Sequence, residues 1–233
     1  MRKIGIVGGL GPEATLYYYR LFINLCHQRL GEEENYPEII IYSLNLEECR
    51  KLMGSGNWSE LADKLATAFQ SLHKAGADFG LIAANTPHKV FEDIKAKSPI
   101  PLLSIIEETC EAVTRHRLTK VGLFGTIFTM QSHFYKDVFS KRNISIVVPK
   151  EDEQAYIHNK IVSELGVGIM LDETRSGFLK ITQRMIDEES IQGLILGCTE
   201  IPLLLTKEEF GIPFFDTSKI HAEAAFRYCL SGI

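Results

Sequence analysis

The chain lacks the marks of several functional classes. It has no excess of positive charge, because 25 Lys and Arg stand against 30 Asp and Glu for a formal charge of -5. No long block of like charges occurs, and a nucleic-acid-binding surface would leave a basic stripe, so no nucleic-acid partner is expected. Long apolar runs are also missing. Those that occur, such as residues 4–7 and 201–205, fall far below the ~18 residues that span a bilayer, so no membrane partner is expected either. The first residues resemble a secretory leader only in charge before turning glycine-rich, and a cytoplasmic protein is expected.

Cysteine is scarce and unpaired in pattern. The five cysteines, at 26, 49, 110, 198 and 229, include no Cys-x-x-Cys, which suits neither a disulfide framework nor a zinc site. The seven histidines, at 27, 73, 88, 116, 133, 158 and 221, include no pair four residues apart, so no metal is expected. A Gly-Lys-Ser/Thr is absent after the first glycine-rich turn, which rules out Walker-type nucleotide binding. No Pro/Gly/Ser-rich linker divides the 233 residues.

What is present is an α/β pattern, in which short β-branched runs alternate with longer segments of helical period. Strands are expected at residues 3–7, 39–42, 80–83 and 101–104, with helices at 12–29 and 57–75. The first helix is read with Leu16, Tyr19, Phe22, Ile23 and Cys26 on its buried face, the second with Leu61, Leu65, Phe69 and Leu72. The pattern then restarts: strands at 119–125, 144–148 and 193–196, helices at 130–142, 151–164 and 174–189, and a closing helix from Asp216.

The restart is visible in the residues themselves. Lys3-Ile4-Gly5-Ile6-Val7-Gly8-Gly9 matches Lys120-Val121-Gly122-Leu123-Phe124-Gly125-Thr126 at an offset of about 117 residues. Gly80-Leu81-Ile82-Ala83-Ala84-Asn85-Thr86 matches Gly193-Leu194-Ile195-Leu196-Gly197-Cys198-Thr199 at about 113. Similar offsets in the same order point to a duplicated unit. The expected architecture is two pseudo-symmetric α/β domains with parallel sheets and an active-site cleft between them. Residues 1–105 form the first domain, completed by about 208–233, and 106–207 form the second.

Three turns at expected strand ends carry the chemistry. Gly9-x-Gly11-x-x-Ala14 meets a loose dinucleotide fingerprint, but its acidic partner would have to come from Glu32, Glu33 or Glu34, in a loop rather than at a strand end. A small anionic ligand on these backbone amides is the better reading, beside a plain structural turn. Ala84-Asn85-Thr86-Pro87-His88 offers amide and hydroxyl donors or a helix cap. Gly197-Cys198-Thr199-Glu200 puts a cysteine before a helical turn, where N–H dipoles favour a thiolate, and makes Cys198 the leading nucleophile or base. Glu200 either polarises that thiol or caps the helix.

Taken in order, Gly8-Gly9-Leu10-Gly11-Pro12-Glu13-Ala14-Thr15, Asn85-Thr86-Pro87-His88, Gly125-Thr126 with Thr129-Met130, and Gly197-Cys198-Thr199-Glu200 resemble the aspartate/glutamate racemase family, in its aspartate racemase branch. The resemblance runs from residue 3 to Asp216-Thr217 and His221. It implies a racemase that uses no pyridoxal phosphate or other cofactor, an acidic amino-acid substrate, and a homodimer. It also implies two cysteines on opposite faces of the α-carbon, one removing and one returning a proton. Cys198 matches the second. The first falls at Ala84, which carries no proton.

Three explanations stand side by side. Ala84 is a substitution introduced to trap a ligand; or Thr86, His88 or a water serves that face; or the chemistry is one-faced, as in the single-cysteine arylmalonate decarboxylases of the same superfamily. A catalytically silent protein that binds acidic amino acids is the further alternative. Substrate contacts are assigned to Gly9, Leu10, Arg50, Asn85, Thr86, Thr126, Thr199 and Glu200, with Arg50 placed in a loop after the second strand. Leu165-Gly166-Val167-Gly168 offers no counterpart to a lysine that some relatives use.

Overall fold

The computed structural model describes residues 1–30 and 35–231. The chain divides into two compact units, Met1–Glu108 with Ser218–Ile233, and Thr109–Thr217. The second unit runs to Thr217 rather than stopping at 207 because a short strand at its end, unread in the sequence, joins its sheet.

The first unit holds β1 (Ile4–Gly8), α1 (Pro12–Leu30), β2 (Ile39–Ser43), α2 (Leu46–Gly54), α3 (Trp58–Lys74), β3 (Phe79–Ile82), a 3₁₀ turn (Thr86–Val90), α4 (Phe91–Lys97) and β4 (Leu102–Leu103). The chain leaves it within α5 (Ile105–Arg115). The second unit holds β5 (Lys120–Gly125), α6 (Ile127–Gln131), α7 (Phe134–Ser140), β6 (Ser145–Val147), α8 (Glu151–Ser163), α9 (Asp172–Glu189), β7 (Leu194–Gly197), α10 (Ile201–Leu204) and β8 (Phe214–Asp216). Helix α11 (Thr217–Leu230) returns the chain to the first unit.

Each sheet has four parallel strands, ordered β2-β1-β3-β4 and β6-β5-β7-β8. The segments matched in the sequence therefore occupy the same two central positions in each sheet. Parallel strands covered on both faces read as continuous apolar runs, which is why β1, β3, β5 and β7 were legible. Among the described residues no helix is long and apolar enough to cross a membrane.

The first unit has a core on each face of its sheet. On one side α3 lays Leu61, Leu65, Phe69 and Leu72 against Val7 and Ile82, and the helix stops where Gly76 takes φ +99°. Burial of each such side chain contributes roughly 1.5 to 3 kcal/mol. On the other side α1 and α11 cover Ile4, Ile6, Phe79 and Leu81 with Tyr18, Phe22, Leu25, Cys26, Ala222, Ala225 and Phe226. This corrects the reading of α1: Leu16 and Tyr19 are 62% and 47% exposed, and Tyr18 and Leu21 face inward instead. Three consecutive tyrosines, Tyr17, Tyr18 and Tyr19, make two stripes of nearly equal apolarity, and packing decides between them.

Two further corrections concern short elements. The helix expected at 130–142 is broken, because Ser132 is extended at ψ 161° and α7 begins afresh beyond it. Residues 46–54, read as a loop, form α2, capped by the Asn45 carboxamide oxygen, which accepts the N–H groups of Glu47 and Glu48. The acidic candidates Glu32, Glu33 and Glu34 lie outside the described residues.

Candidate active site

Because all strands of a parallel sheet run the same way, every strand-to-helix turn of one kind gathers at one edge, where ligands bind in this architecture. In the first unit β1 delivers Gly8-Gly9-Leu10-Gly11 to that edge, and β3 delivers Ala84-Asn85-Thr86-Pro87-His88. In the second, β5 delivers Thr126, and β7 delivers Cys198-Thr199-Glu200.

The β1 turn is built around Thr15. Its Oγ1 accepts the Gly9 N–H at 2.9 Å and lies 3.3 Å from the Gly11 carbonyl oxygen, to which it donates. The Gly9 amide expected to meet a ligand is therefore committed to Thr15. Leu10 is half-buried and packs on the α3 side core. Gly9 has φ +79°, and a Cβ there would stand 2.3 Å from the Leu44 carbonyl oxygen. Backbone cannot yield as a side chain can, so Gly9→Ala is expected to cost roughly 2 to 3 kcal/mol, read as a lowered urea midpoint. An unchanged midpoint would mean that the turn refolds around the methyl.

The β3 turn is fastened by His88. Its Nδ1 lies 3.0 Å from the Ala84 carbonyl oxygen, and its Nε2 accepts the Ile105 N–H at 3.2 Å. These partners fix the neutral Nδ1–H tautomer and leave neither ring nitrogen for a substrate, which removes His88 as the base facing position 84. The ring stacks on Phe91 at 4.9 Å and meets His221 edge-on at 6.2 Å. His221 in turn accepts from the Tyr18 hydroxyl at Nδ1, 2.9 Å, and donates from Nε2 to the Leu103 carbonyl oxygen, 3.1 Å. Ala84 and Asn85 are buried, and Thr86 is half-buried.

Burial, reinforced by His221, holds the pKa of His88 at about 3, and burial holds that of His221 at about 4, against an ordinary 6.5. Below pH 6.5 the unfolded chain binds two protons that the folded one refuses. The stability this pair contributes is thus complete above 6.5 and is lost as pH falls toward 4 and then 3, at about 1.4 kcal/mol per pH unit for each imidazole. Urea unfolding between pH 6 and 4.5 is expected to show this slope, and a flat profile would contradict it.

Cys198 is the cysteine that stands at a strand end. It follows β7 directly, and Gly197, paired in register with Gly125 on β5, has no room for a Cβ, which would stand 2.7 Å from the Phe124 carbonyl oxygen. The thiol is 9% exposed and donates to Glu200 Oε2 at 2.9 Å; the Thr199 hydroxyl donates to the same oxygen at 2.8 Å. Burial, followed by the charge of Glu200, pushes the Cys198 thiol well above its ordinary range, against a smaller opposite pull from the Thr199 and Glu200 backbone. This reverses the expectation of a dipole-stabilised thiolate: the resting group is a thiol on a carboxylate. The other four cysteines are buried and none forms a disulfide among the described residues, Cys49 among them although its neighbourhood reads as polar.

Thr126 caps α6, its Oγ1 accepting the Thr129 N–H at 3.3 Å. His158 of α8, which no motif or spacing singles out, accepts the Ile127 N–H beside it at 3.4 Å. Arg50 lies not in a loop but on the exposed face of α2, next to the buried Cys49. Gly168, near the expected lysine position, ends a 3₁₀ turn with φ +80°.

Comparison with known proteins identifies the family and its fold. A family model described as Asp/Glu/Hydantoin racemase matches residues 7–225. The broad specificity amino-acid racemase RacX of Bacillus subtilis (strain 168) is 26% identical over 226 residues, covering 95% of each chain. The crystal structure of an aspartate racemase homologue from Pyrococcus horikoshii OT3 superposes with a TM-score of 0.86 at 34% identity, over 99% of this chain and 100% of that one. An aspartate racemase from Picrophilus torridus shares the fold, with a TM-score of 0.74 at 22% identity, over 98% and 94% of the two chains. With two like-ordered parallel sheets, a thiol at the end of a central strand and a family match over nearly its full length, this chain is a member of the Asp/Glu/hydantoin racemase family.

Proposed function

We propose that the protein is a cofactor-independent racemase acting on aspartate and/or glutamate, with Cys198 as the proton-transfer group for one face of the α-carbon. The observation that carries this reading is the 2.9 Å hydrogen bond from the Cys198 thiol to Glu200 at the end of β7. The pair holds one negative charge and one mobile proton. When the thiol proton passes to Glu200, the thiolate takes the α-proton and the charge moves to the substrate as a carbanion. A proton delivered to the opposite face then completes inversion. Run the other way, the thiol is the donor.

The family resemblance assigns the opposite face to position 84, where Ala84 supplies nothing and His88 is committed to backbone. Thr86 is the one hydroxyl-bearing side chain of that turn, and it or a water is the proton source there. Asn85, Thr86, Thr126 and Arg50 hold the carboxylates, stabilising the charge that develops on them. The working form is a cytoplasmic homodimer.

The protonated resting state of Cys198 also favours a second reading, one-faced protonation of a carbanion left by decarboxylation, in which no second base is needed. Proton NMR of L- and D-aspartate and glutamate in D2O separates the two. Loss of the α-proton signal with appearance of the other enantiomer supports the racemase; silence on all four, with turnover of an arylmalonate, supports the decarboxylase.

A further inference from the structure

We infer that His88 is a positioning residue, whose neutral imidazole holds the Ala84-Asn85-Thr86 turn in the geometry that receives the substrate. The inference deepens the reading proposed above, and its argument is geometric. The β3 turn leaves the sheet at Ala84; the His88 N–H bonds the Asn85 carbonyl oxygen at 3.0 Å, and no side-chain cap from Asn85 to the 3₁₀ turn adds to it. A second fastening comes from one ring with two partners on different segments. Nδ1 reaches back four residues to the Ala84 carbonyl oxygen, and Nε2 reaches across to the N–H of Ile105, at the entrance of α5.

An imidazole suits this task because it alone offers a donor and an acceptor at fixed separation on a rigid ring. The ring is itself held on two sides. Phe91 stacks on it, His221 stands edge-on to it, and His221 is tied to Tyr18 and to Leu103. Tyr18 on α1, the β3 turn, Leu103 on β4 and His221 on α11 thereby become one buried assembly around position 84. A proton added to Nε2 would meet the Ile105 N–H and break the lock, so the device works only in its neutral form.

The test uses the full chain uniformly labelled with ¹⁵N. At pH 7 the long-range ¹H–¹⁵N spectrum is expected to show His88 protonated at Nδ1 and unprotonated at Nε2; the opposite tautomer or the cation overturns the inference. Two substitutions then ask whether the lock positions the turn. His88→Asn keeps a donor near Nδ1 but loses the acceptor of the Ile105 N–H, and is expected to move the Asn85 and Thr86 amide shifts part of the way and raise the KM for the amino acid about threefold. His88→Leu keeps bulk without either bond, and is expected to move those shifts and raise KM at least tenfold, with kcat changed less. If both variants match the parent in shifts and KM, the positioning role is overturned. Should His88→Leu not fold, the parent tautomer and His88→Asn still decide. If the parent acts on no amino acid, the proposed function fails, while the tautomer and the turn shifts still decide the role of His88.

Discussion

Cys198→Ser is expected to slow exchange of the substrate α-proton with solvent by roughly 10² to 10⁴, the range that a positioned acid/base group contributes. A serine hydroxyl keeps the hydrogen bond to Glu200 Oε2 but surrenders its proton far less readily than a thiol. Glu200→Gln makes the complementary point. Burial first, and then Glu200, hold the thiol above its ordinary range. Loss of Glu200 is expected to lower the pH at which Cys198 becomes alkylated while reducing exchange at neutral pH, because the partner that takes the thiol proton has gone. Exchange that survives Cys198→Ser at the parental rate would remove Cys198 from the chemistry and with it the proposed function. Circular dichroism of both variants separates loss of chemistry from loss of fold.

Ala84→Cys is the second large effect. A thiol placed at the end of β3 restores the group that the family resemblance assigns to the opposite face, and inversion of aspartate or glutamate is expected to rise by roughly 10² or more over the parent. Ala84 is buried beside Val90 and Phe91, so the added sulfur needs room, and a cost of roughly 1 to 3 kcal/mol from overpacking accompanies the gain. Chiral chromatography of the products reads it directly. If the parent already inverts as fast as the variant, Thr86 or water suffices and position 84 is not the missing base. If the variant folds and inverts nothing while the parent exchanges the α-proton, the parent is a one-faced catalyst.

These expectations rest on features of unequal legibility. Buried parallel strands announce themselves as apolar runs ending in glycine, and the repetition of Lys3-Ile4-Gly5-Ile6-Val7-Gly8 in the second half marks the duplicated sheet. Short elements were less visible. β8 is three residues long and follows Gly211, Ile212 and Pro213, and its strand character comes from pairing with β7 rather than from its own composition. α2 reads as polar because only one face of nine residues is covered, and missing it misplaced Arg50.

The site shows the same division. Cys198 was singled out because a cysteine at a strand end has a local signature. The direction of its titration depends on a carboxylate that could equally have pointed to solvent, and spacing alone cannot tell which. His88 was grouped with proton donors for want of knowledge about Ile105, 17 residues on, and His221, which lies beyond the entire second unit. Long-range partners of this kind leave no periodicity to read.

The order of the units along the chain carries a consequence for biosynthesis. A ribosome emits residues 1–108 first, yet the core between α1 and β1 needs Ala222, Ala225, Phe226 and Cys229 of α11, and the Arg2 N–H bonds to the Cys229 carbonyl oxygen at 3.0 Å. The second unit is a continuous stretch and is complete at Thr217. The half begun first is therefore finished last, with Ile4, Ile6, Phe79 and Leu81 covered on one face by α1 alone while residues 109–217 are translated. At ordinary elongation rates that interval is on the order of ten seconds, far longer than apolar collapse takes. A nascent chain stalled at Thr217 should accordingly be a strong client for chaperones that bind exposed apolar sheet, and release through α11 should end that association.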